Sequence, residues 1–373
     1  MKFCIVSHVV HSRNGNSLCA YGPFVREMNL WEKHIDELLI VAPLDLKAIP
    51  AEIDLAYTSE NIRFIEVVPF SLIRKKEIVK TLFEIPIILF KIFKAMRSAD
   101  HIHLRCPGNM GLLGAVVQIL FPRKKKTAKY AGNWDWNSQQ PWSYRLQQRI
   151  LRNTFLTRNM QVLVYGDWKD TENIKPFFTA SYSENEIAET PPRKLDSAQP
   201  IQLIFVGGLN EGKRPMLSLE VALRLFQSGI KNEIHFYGEG IQREELEEFM
   251  EKNQMEEYAF LHGNVGAEIV KKAFQKSHFL VFVSKSEGWP KVIAESMFWG
   301  CLPLTTAVSC VPEMIGNGLR GDVVVPDFKE VIARIEYYLH HPIKYEEKCE
   351  QAMKWSREFT LEKFEMEIKK FLI

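Results

Sequence analysis

The run Phe279-Leu280-Val281-Phe282-Val283 leads through Ser284-Lys285-Ser286-Glu287-Gly288-Trp289-Pro290 into Lys291-Val292-Ile293-Ala294-Glu295, and that order leaves few folds open. Five consecutive apolar, β-favouring residues have the character of a parallel strand buried on both faces. Pro290 suits the first turn of a helix, which is predicted from Lys291 to Trp299 and closed by Gly300. Glu287 then stands in the loop at the carboxyl end of the strand, and Glu295 projects from the first turns of the next helix. In open α/β sheets, ligands bind in that crevice. The helix amino end favours a phosphate. Carboxylates repel a phosphate but accept hydrogen bonds from hydroxyls, so their spacing points to a sugar attached to a nucleotide.

At 373 residues the chain exceeds one ordinary core and fits two domains. Lys2 to Ser7 reads as a first buried strand, His8 to Asn16 as a turn, Leu18 to Trp31 as a helix and Glu37 to Ala42 as the next strand. Further strands are predicted at Ile62 to Val67, His101 to Leu104, Thr127 to Tyr130 and Gln161 to Tyr165, with helices over Gly111 to Leu120 and Tyr144 to Leu151. Residues 1–180 are thus one α/β domain. The polar stretch 181–200, with Pro191-Pro192, reads as a linker. A second Rossmann-like series starts at Ile201 to Val206 and continues at Glu233 to Tyr237, Ala259 to Leu261, Phe279 to Val283, Leu302 to Thr305 and Val323 to Val325. Ser356 to Ile373 reads as an amphipathic helix.

The Glu287/Glu295 spacing resembles the Glu-x7-Glu signature of retaining glycosyltransferases of the GT-B fold, the glycogen-synthase-like family 4. Ser296 to Leu304, followed by Pro312-Glu313-Met314-Ile315, is similar to that family's helix, glycine-proline strand and Pro-Glu turn. The resemblance implies two Rossmann-like domains facing across a cleft, over 1–180 and 201–355, with the last helix, 356–373, crossing back to the first. It implies transfer of a sugar from a nucleoside-diphosphate sugar to an acceptor hydroxyl with retention, without a metal or another cofactor. Glu287 would hold hydroxyls of the donor sugar, Glu295 the ribose, with Gly288, Trp289 and Pro290 of the same turn lining the donor.

Ile201 to Lys213 is a strand running into a Gly-rich turn and a basic residue, which brings backbone amides and a cation to a diphosphate. It resembles the family's Val-Gly-Arg-Leu-x3-Lys element. Gly207 and Lys213 match, Gly208 stands where Arg is usual, and Arg214, one residue on and outside the pattern, is the candidate to replace that Arg at the donor phosphates. By the same resemblance Gly15, in Asn14-Gly15-Asn16, approaches the donor, while Gly238 and Gly263 edge the base. Strand alternation puts His101, His103 and Arg105 on one face. His103 matches the first histidine of the family's His-x-His, and Arg105 takes the place of the second, as a cation for the leaving phosphate or an acidic acceptor. Glu287, Lys213 and Arg105 are therefore the catalytic candidates. His8, His11, His103, Trp134 and Asp135 are candidates for the acceptor, with core packing the alternative for the aromatic cluster.

A net charge of +2, 46% hydrophobic and 25% charged residues describe a folded protein with no case for nucleic acid. The start runs directly into a strand, and six scattered cysteines lack a Cys-x2-Cys pair, so a cytoplasmic location with reduced thiols is expected. Arg74 to Arg97 mixes lysines and arginines with apolar residues around Pro86. It is too interrupted to span a bilayer, and two readings stay open: a core-facing helix, or one lying on an anionic membrane with help from Arg123 to Lys126, where a lipid-linked acceptor would be found. Epimerase or phosphorylase chemistry on a similar scaffold, or a non-catalytic nucleotide-sugar-binding subunit, also stay open.

Overall fold

The protein is described by a computed structural model covering residues 1–15, 17–46, 48, 51, 53–69, 78–168, 170–187, 193–196 and 199–372, with the side chains of 78–83 left aside. It divides into two compact units, Met1–Phe178 with Phe364–Ile373, and Thr179–Lys363. The second unit thus begins ahead of the polar stretch 181–200.

In the first unit, seven parallel strands lie side by side in the order Ile174–Phe177, Met160–Tyr165, Lys125–Tyr130, His101–Cys106, Lys2–Val6, Glu37–Pro43 and Ile62–Val67. The strands that lie inside the sheet are the strongly apolar ones: Phe3, Cys4, Ile5 and Val6 have no exposure at all. A smaller antiparallel sheet joins His11–Asn14, Ser17–Tyr21 and Asp54–Ala56. It replaces the expected turn over His8 to Asn16 and the first turn of the expected helix from Leu18. Gly15, at φ 58°, makes the tight hairpin turn. The helix itself is Gly22–Glu32. Pro23 fits its first turn, where no backbone donor is missed. A side chain at position 22 would put its Cβ 2.3 Å from the carbonyl oxygen of Ile53, so only glycine admits the strand beside it.

The helix Ile78–Ser98 buries Ile88, Ile92, Ala95 and Met96 in the unit's core and leaves Ile87 and Phe90 58% and 66% exposed. Arg74 to Glu77 lie outside the described residues. Among the described residues, no helix is long and apolar enough to cross a membrane. Of the basic run Arg123 to Lys126, Lys126 is buried rather than on the surface. Its ammonium donates to Gln118 Oε1 at 2.8 Å, and burial pushes its pKa down to about 8.

The second unit holds six parallel strands in the order Ala259–Leu261, Asn232–Tyr237, Ile201–Val206, Phe279–Phe282, Leu302–Thr305 and Asp322–Val323. The helix predicted from Ser356 starts five residues later, and the helix before it ends at that residue. Pro342–Ser356 ends there, and Leu361–Lys369 starts after Thr360, whose hydroxyl accepts from Lys363 N at 3.2 Å as a cap. Phe364 and the residues after it belong to the first unit, where Phe364 packs on Phe177 at 5.4 Å. The six cysteines are all buried and unpaired.

Glu27 of the first helix lies between two cations of neighbouring strands. It accepts from Lys129 Nζ at 2.9 Å and from Arg105 Nη1 at 3.0 Å, with Glu27 and Lys129 only 3% and 2% exposed. The Lys129 ammonium also faces the rings of Phe364 at 4.7 Å and Phe177 at 5.6 Å. Removing the central carboxylate leaves two cations facing each other in the interior. Glu27→Ala should therefore lower the urea-unfolding free energy by about 3–5 kcal/mol. A midpoint equal to that of the wild type would show that the charges re-pair.

Candidate functional site

The strands Ile201–Val206 and Phe279–Phe282 pair directly, and chain order reverses on either side of that pair. This is the switch point at which an open α/β sheet forms its crevice. Lys213, in the loop after the first of these strands, donates to Glu287, in the loop after the second, with 27% and 10% of the two side chains exposed. The ammonium also lies 5.0 Å from the centre of the Phe282 ring. Residues the sequence reading passed over lace the loops together. Asn210 Oδ1 accepts from Lys213 N at 3.2 Å, Lys285 N donates to Gly212 O at 2.7 Å, Thr306 Oγ1 to Ser284 O and Cys310 Sγ to Gly288 O. The small hydroxyl and thiol residues at the ends of the apolar strands were the only sequence signal for this lacing.

Three glycines close the same edge by backbone contact. A Cβ on Gly238, at φ 141°, would sit 2.0 Å from the carbonyl oxygen of Gly207, and Gly238 N donates to Gly263 O at 2.8 Å. Close approach at Gly238 is therefore to another loop of the protein. Gly208 lies in the same turn, where a Cβ would come 3.0 Å from Asn210 Nδ2.

Glu295 projects from the helix Lys291–Phe298, to which Pro290 is the cap, and accepts a short 2.5 Å hydrogen bond from the Ser181 hydroxyl. Trp289 packs on Trp355 and Phe359, with ring centres 6.1 and 5.7 Å away. The two glutamates thus hold different partners, a lysine ammonium and a serine hydroxyl. Arg214 adopts a left-handed backbone, φ 53°, ahead of the helix Pro215–Gln227. Its guanidinium donates to Val283 O at 3.0 Å and lines a cavity of about 640 Å³ whose walls include neither Lys213 nor Glu287.

In the first unit, the acceptor candidates are dispersed. His8 is exposed in the loop after the first strand, beside Gly108. Surrounding protein and the nearby Arg105 charge lower its pKa. His11 is fully buried instead of facing solvent, bonded through Nδ1 to Val9 O and through Nε2 to the Tyr57 hydroxyl. His103 is also fully buried. Its Nδ1 shares the Thr127 hydroxyl with His101 Nε2, which confirms the common strand face but turns it toward the Trp31 helix. Arg105, the third residue of that face, is held by Glu27. Trp134 lies in the core and donates to Asp170 at 3.2 Å, while Asp135 Oδ1 accepts from Asn137 N at 2.9 Å. Gly15 is the hairpin tip already described.

Residues 187–355 match the sequence profile of glycosyl transferases group 1. Over this stretch the chain is similar to glycosyl transferases group 1. The whole chain superposes on HepE from Anabaena, solved in complex with UDP-glucose, with a TM-score of 0.69 at 13% identity over 100% of this chain and 99% of that one. For sucrose-phosphate synthase from Thermosynechococcus elongatus the TM-score is 0.68 at 14% identity, over 100% and 98%. The two units together thus have the GT-B fold of two Rossmann-like domains. TarM, from S. aureus, gives a TM-score of 0.59 at 16% identity over 76% of this chain, which spans 57% of TarM's length. No curated protein matches the sequence.

Three histidines drawn wholly or partly out of water, His11 and His101 buried and His278 half-buried, make stability depend on pH. Burial lowers the pKa of His11, His101 and His278 to about 4 each, with Lys125 adding to the effect at His101 and Arg193 at His278. Unfolded imidazoles take up a proton near about 6.5, so folding is undiminished above that pH and weakens as the pH falls toward 4. Each histidine should contribute a slope of about 1.4 kcal/mol per pH unit in that window. Urea midpoints from pH 7 to 4.5 measure it, and His101→Gln should flatten the slope. A midpoint independent of pH across the window would place these imidazoles in contact with solvent.

Proposed function

We propose that the protein transfers a sugar from a nucleoside-diphosphate sugar to an acceptor hydroxyl with retention of configuration, and that it needs no metal. The observation that carries this reading is the contact of Lys213 with Glu287 at the switch point of the sheet in the stretch similar to group 1. In such a reaction the diphosphate leaves as an anion while the sugar becomes oxocarbenium-like. Lys213 and the amino end of the helix Lys291–Phe298 suit the anion, by electrostatic stabilisation. Glu287, once its lysine turns to the phosphate, accepts hydrogen bonds from the sugar hydroxyls. Glu295 exchanges the Ser181 hydroxyl for those of the ribose. The solved complexes of HepE with UDP-glucose and of the pneumococcal O-GlcNAc transferase GtfA with UDP and GlcNAc support a donor of this class. Gly207 and Gly208 bring bare backbone to the donor's edge, which Gly238 and Gly263 hold in shape by bonding to each other. The acceptor falls to the first unit, where His8 and Asp135 are the candidates on its surface.

Glu295→Ala should weaken nucleotide-sugar binding, whereas Lys213→Ala should mainly slow transfer, by roughly a hundredfold if it stabilises the leaving group. Binding titration and single-turnover rates separate the two, and unchanged values in both variants would remove the site. Proton NMR of the product from chelator-treated protein should show the donor's anomeric configuration at an undiminished rate. An inverted linkage, or activity that returns only with magnesium or manganese, contradicts the mechanism. A protein that binds donor but neither transfers nor hydrolyses it is a non-catalytic subunit, the reading that the missing cation at Gly208 favours.

The setting we propose is assembly of a cell-envelope or capsular polysaccharide on a lipid-linked acceptor at the cytoplasmic face of a membrane. Ile87, Phe90, Lys94 and Arg97 recur at helical spacing and are all exposed, an apolar and basic stripe suited to an anionic surface. The protein should sediment with anionic vesicles at low salt, less so at high salt or with neutral lipid, and less as an Ile87→Asp, Phe90→Asp double variant. Protein left in the supernatant at low salt would take the acceptor off the membrane.

A further inference from the structure

We propose that the cavity beside Arg214 is a second ligand subsite, one that takes an organic anion: a phosphate or carboxylate carried on a sugar-sized body. The cavity, about 640 Å³, opens at the carboxyl ends of Phe279–Phe282, Leu302–Thr305 and Asp322–Val323, the edge on which parallel sheets bind ligands. Its volume is within the range of small-molecule pockets. Two unlike walls define what fits. One carries the Arg214 guanidinium with the Lys285 side chain. The other is aliphatic, with Val308, Val324, Val325 and Pro326.

The charge on the first wall is left over. Among the described residues no carboxylate pairs with Arg214, whose Nη1 is bound to the carbonyl of Val283. Lys285, by contrast, is matched by Glu211, and the Glu330 carboxylate on the rim accepts from Val325 N at 3.0 Å. A planar fork of donors with one edge fixed to a carbonyl can present its remaining N–H groups to an anion in two-point fashion. The backbone under it is unfavourable for any residue but glycine. Arg214 is held at φ 53° immediately before a proline, where a left-handed conformation is disfavoured for a residue with a Cβ. Strain of this kind persists where the side chain has a task that glycine cannot perform.

The cavity is separate from the donor's proposed groups: Lys213, Glu287 and Glu295 do not line it, although Lys213 is the chain neighbour of Arg214. Counting it as the second subsite rests on the donor reading given above, whereas an anion site at Arg214 does not. The ligand class then includes acceptors or effectors that are themselves phosphorylated or acidic sugars. A reaction that phosphorylates or oxidises a sugar would have to supply such a ligand.

Titration calorimetry of the full chain with glucose 1-phosphate and with glucuronate, against neutral glucose, tests the site and tells a phosphate from a carboxylate. At least one of the two anions should bind, and glucose should not. Arg214→Gln should weaken the binding roughly tenfold or more, as expected for loss of a charge-assisted contact. Lys213→Ala should leave it within about twofold, and saturating UDP should not displace the anion. These two limits apply because neither probe touches the Arg214 wall. Arg214→Gly should abolish anion binding while unfolding at or above the wild-type temperature, because glycine relieves the left-handed backbone. Absence of binding by both anions, or binding that survives Arg214→Gln, overturns the proposal. So does a large drop in unfolding temperature for Arg214→Gly, which would make the arginine a structural tie. Displacement by UDP or loss in Lys213→Ala would assign the anion to the diphosphate position. If UDP fails to bind while glucose 1-phosphate binds through Arg214, the donor reading falls and the anion site stands.

Discussion

The carbonyl oxygen of Gly207 lies 2.0 Å from the place where residue 238 would carry its β-carbon, and the shape of the loops at the carboxyl edge of the second unit's sheet depends on this one exclusion. With no side chain at 238, the loops after three adjacent strands settle backbone on backbone, Gly207 N on Tyr237 O and Gly238 N on Gly263 O. The turn beyond Gly207 is then fixed, and Lys213 at its end arrives opposite Glu287. Hydrogen bonds from Ser284 and Lys285 to Gly212 tie that turn to the neighbouring loop, and Thr306 and Cys310 extend the lacing to the next. The charged pair is thus positioned by main-chain contacts that a surface mutation hardly reaches.

The first unit solves a different problem with charge. Its sheet places three basic or imidazole side chains on one face of His101–Cys106 and Lys129 on the next strand, all under the Gly22–Glu32 helix. Unneutralised, that face would not pack. Glu27 bridges the two cations with one oxygen each, and the histidines remain as neutral rings stacked on Phe3 and facing Trp31. The same ammonium that Glu27 holds also meets Phe364, so the buried charge helps seat the final residues of the chain on this unit. Arg105 is accordingly a member of an interior cluster, and any part it plays toward a phosphate has to be shared with Glu27.

How much of this was legible in the sequence follows from the range of the interactions. Buried parallel strands announce themselves in five or six consecutive residues, and Ile201–Val206, Glu37–Pro43 and Phe279–Phe282 stand where the apolar runs put them. The hairpin at Gly15 was hidden because Leu18, Cys19 and Ala20 suit a helix as well as a strand. Pairing with Asp54–Ala56, more than thirty residues away, decides between them. The break after Ser356 was hidden by an apolar spacing that runs on through it, although Thr360 carried a cap signal. Lys213 and Glu287 were legible as separate motif positions, but their contact spans 74 residues, and the tie of Arg105 to Glu27 spans 78. Partners at that distance leave no local periodicity. Residues chosen on type alone, such as His11 and Trp134, were therefore as open to a core role as to a functional one.

Under the proposed reading, the contact of Lys213 with Glu287 also bears on which ligand the site accepts. Each group is partly withdrawn from water and satisfied by the other, so a ligand that engages only one of them leaves its partner half-buried and unmatched. A free diphosphate draws the ammonium but then faces the carboxylate. A free sugar offers hydroxyls to the carboxylate but leaves the ammonium without an anion. A nucleotide sugar supplies the anion and the hydroxyls together, and so replaces both halves of the pair in a single exchange. The pair thus makes discrimination a property of the joined ligand. The ratio of affinities for a nucleotide sugar and its bare nucleotide, more than either affinity alone, reports how the two side chains share the task.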